Sequence, residues 1–138
     1  MADNIRLEIV TPEKSVVDEE AQIVMAPGTL GEFGVLVNHT PFMTTLAVGT
    51  IHYRDTNGQE RFVFISGGFA EALPDRVTVL AESAERRKNI DAERARSAMD
   101  RAQKRLIETD DDTIDFTRAK AALERSLYRI KLVESKTA

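Results

Sequence analysis

Two hydrophobic patterns divide the chain into two parts. Over residues 1–84 apolar side chains alternate with polar ones, as in Ile5-Arg6-Leu7-Glu8-Ile9, and this period of two is typical of strands that bury one face. From residue 81 onward there is neither glycine nor proline, and apolar residues recur every three or four positions, as in amphipathic helices. We therefore predict a β domain over 1–84 and an α-helical domain over 85–138.

Turn-forming residues separate the short strand-like runs of the first domain. Asn57-Gly58 stands between two such runs and is the strongest short signal for a β-hairpin, because both residues tolerate positive φ. Gly67-Gly68 predicts a bulge or a tight bend. Short strands with turns at this density favour a sandwich or a flattened barrel.

The second domain is predicted to form two amphipathic helices. The first is expected to start after Asn89 or Asp91, either of which can cap it, and to reach about Ile107. A polar turn over 108–112 follows, in which Asp112 is expected to cap the second helix. The apolar stripes are Ala95, Ala98, Met99, Ala102 and Leu106, and then Phe116, Ala119, Leu123, Leu127, Ile130 and Val133. This arrangement predicts an antiparallel helical hairpin and makes the whole chain α+β by content.

The predicted hairpin has little apolar surface of its own. Its first stripe is narrow and mostly alanine, so burial contributes only modestly to its stability. Such a hairpin is marginally stable when isolated and needs the β domain or another protein. We infer that it has more than one docking position.

Composition and charge exclude several classes of function. The chain has 138 residues and no cysteine, so disulfides, thiolate zinc sites and cysteine nucleophiles are excluded. Its apolar runs are far shorter than the roughly 20 residues of a membrane span. The net charge of −4 divides into −7 over residues 1–84 and +3 over residues 85–138. The second domain therefore suits an acidic or phosphorylated partner, or else carries a solvated, ion-paired helix surface.

The candidate chemistry favours binding over catalysis. No carboxylate spacing around His39 or His52 indicates a metal site, and the chain has no phosphate-binding glycine loop. Arg94 and Arg101 share a line on the first helix, and Arg118, Arg125 and Arg129 form a line on the second. These arginines either clamp a polyphosphate through paired hydrogen bonds or are ordinary surface arginines with partners on the same helix.

Several motifs together resemble the epsilon subunit of bacterial and plastid F-type ATP synthases. They are Glu32-Phe33-Gly34-Val35-Leu36 with Asn38-His39-Thr40-Pro41-Phe42, which we call the hallmark loop (32–42), and Ser66-Gly67-Gly68-Phe69. The resemblance spans essentially the whole chain. It implies a β-sandwich of about ten strands, followed by the helical hairpin, in a non-catalytic stalk subunit on the cytoplasmic face of the bacterial inner membrane.

The resemblance also implies partners and a mechanism. The sandwich would bind the gamma subunit and the ring of membrane c subunits of a proton-translocating synthase. The hairpin would either fold down on the sandwich or extend toward the catalytic subunits, where it restrains ATP hydrolysis. Its basic second helix would then face an acidic loop of the beta subunit. The implied partner contacts are Arg118, Lys120, Arg125, His39 and Phe42.

A nucleotide signature of the family is complete in this chain. It stands as Ile90-Asp91-Ala92-Glu93-Arg94-Ala95. The resemblance implies that Arg101, Arg125 and Arg129 contribute further ATP contacts, with Glu85 as a weaker candidate. No cofactor or metal is required, and ATP is expected as a regulatory ligand that favours the folded-down hairpin.

Two other classes of function stay open on the residues alone. A free-standing β-sandwich could bind nucleic acid or an acidic protein, although the acidic first domain argues against nucleic acid. An enzyme would need a cluster of polar groups in a pocket of the sandwich. We expect neither nucleic-acid binding nor direct membrane insertion.

Overall fold

The computed structural model describes residues 4–109 and 114–135 of the chain. The chain forms two compact units, one ending at Arg87 and one beginning at Lys88. The first unit is made of strands and the second of helices. The predicted fold class, a β-sandwich followed by a two-helix hairpin, is therefore confirmed.

Seven strands make up the first unit in the part of the chain that the structure describes. They are β1 (Ile5–Val10), β2 (Ser15–Gly28), β3 (Gly31–Val35), β4 (Phe42–Asp55), β5 (Glu60–Leu73), β6 (Arg76–Ala81) and β7 (Ala84–Arg86). Their order is β1-β6-β5-β4-β2-β3, with β7 paired to β5. Because β1 also pairs with β2, five strands close into a ring, as in a flattened barrel.

The expected number of about ten strands was wrong, because the longest strands bend without breaking. β2, β4 and β5 have 14 residues each. β2 pairs with β1 through its first half and with β3 and β4 through its second half, and its register against β4 shifts between Ala21 and Ile23. A register shift of this kind bends a strand while most of its hydrogen bonds persist. Segments that change partner therefore remain part of one strand.

Glycines form the two local features that the sequence predicts in the β unit. Gly58 adopts a φ of 81° in the turn that joins β4 to β5, which confirms the Asn57-Gly58 hairpin. Gly67 and Gly68 have φ values of 107° and 153° and form a bend inside β5. A Cβ atom at Gly68 would overlap the carbonyl oxygen of Leu80 on the neighbouring strand, so no larger residue fits there.

The core of the β unit follows the predicted alternation. Ile5, Leu7 and Ile9 of β1 are buried, and Val77 and Val79 of the parallel neighbour β6 are buried beside them. Tyr53 is the largest fully buried side chain in this core. The core is thus a single apolar cluster enclosed by the ring of strands.

The second unit contains two antiparallel helices, α1 (Ala92–Glu108) and α2 (Ile114–Glu134). A short 3-10 turn, Arg87–Asn89, precedes α1. Four of the five buried positions on the described helices are small: Ala95 and Ala102 on α1, and Ala119 and Ser126 on α2; the fifth is Leu132, near the end of α2. The guanidinium Nη2 of Arg96 lies 3.5 Å from Oε2 of Glu134, which joins the start of α1 to the end of α2. The predicted cap Asp112 lies outside the described residues.

Asp55 stabilises the turn between β4 and β5. Its Oδ1 accepts hydrogen bonds from the backbone N–H groups of Asn57 and Gln59, each at 2.9 Å, and its Oδ2 accepts one from Nε of Arg61 at 3.0 Å. The hydrogen bond from Gln59, followed by those from Arg61 and Asn57, holds the pKa of Asp55 below its usual value. The stabilisation is therefore present at neutral pH and is lost as the pH falls through the lowered pKa.

We expect Asp55→Asn to lower the melting temperature of the β unit by a few degrees at pH 7, because the amide loses the ion pair with Arg61 and one of its oxygen acceptors. The difference from wild type should shrink as the pH falls through the lowered pKa of Asp55, because the folded wild-type protein then binds the proton as well. Circular dichroism melts at several pH values measure it, with the exposed turn residue Asp75→Asn as the control. An equal effect of both substitutions at every pH would contradict the assignment.

Candidate functional site

The nucleotide signature forms the start of α1. Asp91 is the N-cap residue: its Oδ1 accepts a hydrogen bond from the backbone N–H of Arg94 at 3.0 Å, and its carbonyl oxygen accepts one from the N–H of Ala95 at 3.0 Å. This confirms Asp91 as the cap. Ala95 is buried while the side chain of Arg94 is exposed, so the signature sets both the helix start and the direction of this arginine. Ile90 is half-buried just before the cap.

The arginines of α1 and α2 lie on the same side of the hairpin. Arg94 and Arg101 each precede a buried alanine of α1, and Arg118 and Arg125 each precede a buried residue of α2. One residue turns a helix by about 100°, so all four lie on the flank that precedes the buried line. Equivalent flanks of two antiparallel helices face the same way, as the two-fold relation between the helices requires.

Two more arginines extend this surface. Arg105 and Arg129 each stand three residues after a buried position, Ala102 and Ser126, which returns them to the same flank. The sequence analysis missed Arg105, and only the position of the buried line identifies it. We call the six residues the arginine side: Arg94, Arg101, Arg105, Arg118, Arg125 and Arg129. Arg96, which follows Ala95, lies on the opposite side and pairs there with Glu134.

The antiparallel register brings arginines of the two helices to the same level. Arg96 and Glu134 are level because they form an ion pair. Five residues further along α1 is Arg101, and five residues back along α2 is Arg129, so these two are also level. By the same step of nine residues, Arg105 is level with Arg125. Like charges on neighbouring helices repel each other, and an anion between them removes that repulsion.

The arginine side is well supplied with hydrogen-bond donors. Within residues 4–109 and 114–135, no salt bridge involves Arg94, Arg101, Arg105 or Arg125. Arg125 and Arg129 are half-buried, whereas Arg94 and Arg101 are exposed. Guanidinium groups bind phosphate oxygens through pairs of parallel hydrogen bonds. The surface is therefore chemically suited to a polyphosphate.

Two of the predicted residues do not belong to the arginine side. Glu85 belongs to β7 of the first compact unit, where it pairs with Phe64 of β5. Lys120 is exposed and follows the buried Ala119, so it lies on the side of α2 opposite Arg118. The structure therefore places Lys120 outside the arginine side.

The hallmark loop forms an aromatic cluster on the β unit. The ring of Phe42 lies 5.1 Å from that of Phe33 and 5.1 Å from that of His39, measured between centroids. Nδ1 of His39 lies 2.7 Å from the carbonyl oxygen of Thr40. Asn38, with a φ of 65°, donates its N–H to the carbonyl oxygen of Pro74 at 2.7 Å. His39 and Phe42 are thus brought together on a fixed loop.

Exposed apolar side chains are a second feature of the β unit, which the sequence analysis did not identify. Leu30, at the turn between β2 and β3, is 98% exposed, and Met43 is 61% exposed. On the face of the sheet, Phe69 of β5 pairs with Leu80 of β6, and Leu80 is 56% exposed. Large exposed apolar residues at several neighbouring positions are typical of protein–protein interaction surfaces.

The described residues contain few features that indicate catalysis. Within them, no group of three or more His, Cys, Asp and Glu side chains is arranged to hold a metal ion. None of the helices in the described ranges is long and apolar enough to cross a membrane. The arrangement supports binding of an anion on the arginine side and of protein surfaces on the β unit.

Comparison with known proteins gives matches along the whole chain. Residues 4–87 match the β-sandwich domain of the ATP synthase delta/epsilon chain, and residues 88–134 match its long α-helix domain. The ATP synthase epsilon chain of Desulforapulum autotrophicum is 57% identical over 136 residues, which cover 99% of this chain and 100% of that protein. That of Desulfatibacillum aliphaticivorans is 60% identical over 136 residues, which cover 99% and 96%.

Solved structures show the same fold. A chain in the mitochondrial ATP synthase of Euglena gracilis, solved with OSCP, F1 and the c-ring, superposes with a TM-score of 0.79 at 24% identity, covering 92% of this chain and 79% of that one. A chain in the central stalk and c-ring of the Tetrahymena thermophila enzyme gives 0.64 at 16% identity, covering 94% and 96%. On the family models and the two bacterial relatives together, the chain belongs to the family of ATP synthase epsilon chains.

Proposed function

We propose that the chain is a non-catalytic subunit of the rotor stalk of a proton-translocating F-type ATP synthase. It would connect the gamma subunit to the c-ring, at the cytoplasmic face of the bacterial membrane, and restrain ATP hydrolysis through its hairpin. The chain is 57% and 60% identical to two bacterial epsilon chains over 99% of its length, and this similarity supports the stalk role. The arginine side is the observation that carries the regulatory part.

The β unit has the properties of a rigid fitting. Its ring of strands is closed by the pairing of β1 with both β2 and β6, so it resists bending. The hallmark-loop residues His39 and Phe42, together with the exposed Leu30 and Met43, offer surfaces for the gamma subunit and the c-ring. Apolar anchors on a rigid support lose little entropy when a partner binds.

The hairpin has the properties of a movable part. Apart from Leu132, the buried side chains of the two described helices are small, such as Ala95 and Ala119, so burial within the hairpin contributes only modestly to its stability. Such an element changes position at a low cost in free energy. In an extended position, Arg118 and Arg125, and on the other side Lys120, would be available to the acidic loop of a beta subunit.

ATP would act as the ligand that selects one position of the hairpin. Its triphosphate would lie along the arginine side, between Arg101 and Arg129 and between Arg105 and Arg125, with Arg94 at the signature end. Ile90 and Ala95 of the signature complete the set on the helical unit. A ligand that requires both helices packed together stabilises the folded hairpin by its differential affinity for that state.

We expect removal of residues 88–138 to raise ATP hydrolysis by the assembled synthase at least twofold. Assembly should stay intact, because the β unit ends at Arg87 and is left whole. Steady-state hydrolysis by purified enzyme, with gamma and the c-ring quantified in the same preparation, measures this effect. Unchanged hydrolysis by a fully assembled enzyme would eliminate the restraining role. Loss of gamma from the preparation would eliminate the stalk role of residues 1–87.

We expect Arg101→Ala and Arg94→Ala each to weaken ATP binding by about tenfold or more, since each removes a hydrogen-bonding cation from the phosphate site. Isothermal titration of the isolated chain with ATP measures the affinity. Arg96→Ala is the matched control, because Arg96 is an arginine of the same helix on the opposite side of the hairpin.

Equal weakening by all three substitutions would show that the arginine side is not the binding surface. An absence of binding by the wild-type chain at millimolar ATP would remove the ligand from the account, without affecting the stalk role.

A further inference from the structure

The last strand of the β unit is its shortest. β7 has three residues, which pair with Val63, Phe64 and Ile65 of β5. Just before it, Glu82 donates its N–H to the carbonyl oxygen of Gly67 at 3.2 Å, and the carbonyl oxygen of Ser83 accepts a hydrogen bond from the N–H of Ser66 at 3.1 Å. The hydroxyl groups of Ser83 and Ser66 are also hydrogen-bonded, at 2.7 Å. A three-residue strand at the end of a unit ordinarily frays. The connection to the helical unit begins directly after it.

Arg86 ties this strand to distant parts of the β unit. Its Nε donates a hydrogen bond to the carbonyl oxygen of Val16 on β2 at 3.1 Å, and its Nη1 donates one to the hydroxyl of Tyr53 on β4 at 3.3 Å. The guanidinium therefore bonds to two strands with which β7 has no register of backbone pairs. These bonds are made by a cation, and such hydrogen bonds are stronger than those between neutral groups.

Tyr53 is the centre of the arrangement. It is 1% exposed, and its hydroxyl donates a hydrogen bond to the carboxylate of Glu19 on β2 while accepting the one from Arg86. Burial, and then the bond to Glu19, raise the pKa of Tyr53 to about 12, so the hydroxyl keeps its proton at neutral pH. The buried Tyr53 hydroxyl thus links the carboxylate of Glu19 to the guanidinium of Arg86 through two hydrogen bonds.

The tied region ends where the first compact unit ends. The guanidinium carbon of Arg87 lies 5.9 Å from the ring centroid of Phe62 on β5, within the range of a cation–π interaction. The next residues, Lys88 and Asn89, are exposed. Arg87 is also the last described residue of the first compact unit.

We propose that the Glu19–Tyr53–Arg86 relay pins β7 to the β unit and thereby fixes the joint with the helical unit at Arg87–Lys88. Without the relay, β7 would detach and the joint would move back to about Ser83. The four released residues, 84–87, span on the order of 13 Å when extended. The helical unit would then be joined to the β unit through a longer free segment. This inference is independent of the proposed ATP site.

The test uses the full isolated chain and its Tyr53→Phe variant, which keeps the buried ring and removes both hydrogen bonds. Hydrogen–deuterium exchange read by mass spectrometry should show at least tenfold faster exchange in the peptide that contains 84–86, with little change in β1 and β6. Trypsin should cleave after Arg86 and Arg87 correspondingly faster. Tyr128→Phe, which alters a partly exposed tyrosine of α2, is the matched control.

Equal exchange at 84–86 in the Tyr53→Phe and Tyr128→Phe variants would overturn the proposal. If Tyr53→Phe accelerates exchange throughout the β unit, Glu19→Ala decides instead, because it removes the acceptor of the Tyr53 hydrogen bond and leaves the tyrosine in place. Faster exchange confined to 84–86 in that variant supports the relay. Wild-type exchange there in Glu19→Ala would contradict it.

Discussion

The close packing of two helices on small side chains is the constraint on which the candidate site depends. Of the five buried positions in the described helices, four are small, namely Ala95, Ala102, Ala119 and Ser126, and the fifth is Leu132. Small residues allow helix axes to approach to the lower end of the usual range of about 8–10 Å. Each residue next to a buried position is then carried to the edge of the contact, and the edge on one side is occupied by arginines. The same side chains that bring the helices together therefore also concentrate positive charge.

This constraint also explains why the hairpin is suited to regulation. A buried methyl group contributes only about 0.8 kcal/mol, so an alanine contact opposes separation of the helices weakly. The repulsion between level arginines weakens it further. An anion that binds both helices therefore shifts their packing equilibrium. The β unit is the opposite case, since a closed ring of strands surrounds a core of larger side chains such as Ile5, Ile51 and Tyr53.

Much of the fold could be predicted from local sequence, because the relevant interactions are local. The alternation at Ile5, Leu7 and Ile9, the Asn57-Gly58 turn and the Asp91 cap all involve residues a few positions apart, and the structure confirms each. The number of strands was not predictable in this way. Whether β2 bends or breaks near Ala21 depends on which strands lie beside it.

The candidate site was predicted in part for the same reason. The signature at 90–95 and the arginine lines are helical spacings, so the sequence reveals them. Arg105 and the separation of Lys120 from Arg118 depend on which residues are buried between the helices, and that is a tertiary property. The hydrogen bond from Arg86 to Val16 joins residues 70 positions apart, and a contact of that kind cannot be predicted from a local sequence pattern.

The most direct test of the arginine side is nuclear magnetic resonance of the arginine Nε–Hε groups in the isolated chain during addition of ATP. The Nε–Hε resonances of four arginines should shift with the same saturating dependence on ATP concentration, namely Arg101, Arg105, Arg125 and Arg129. The resonance of Arg96 should keep its chemical shift. This result would show that the ligand occupies the side of the hairpin set by the small buried residues. Shifts of Arg96 equal to those of the arginine side, or no shifts at millimolar ATP, would contradict the account.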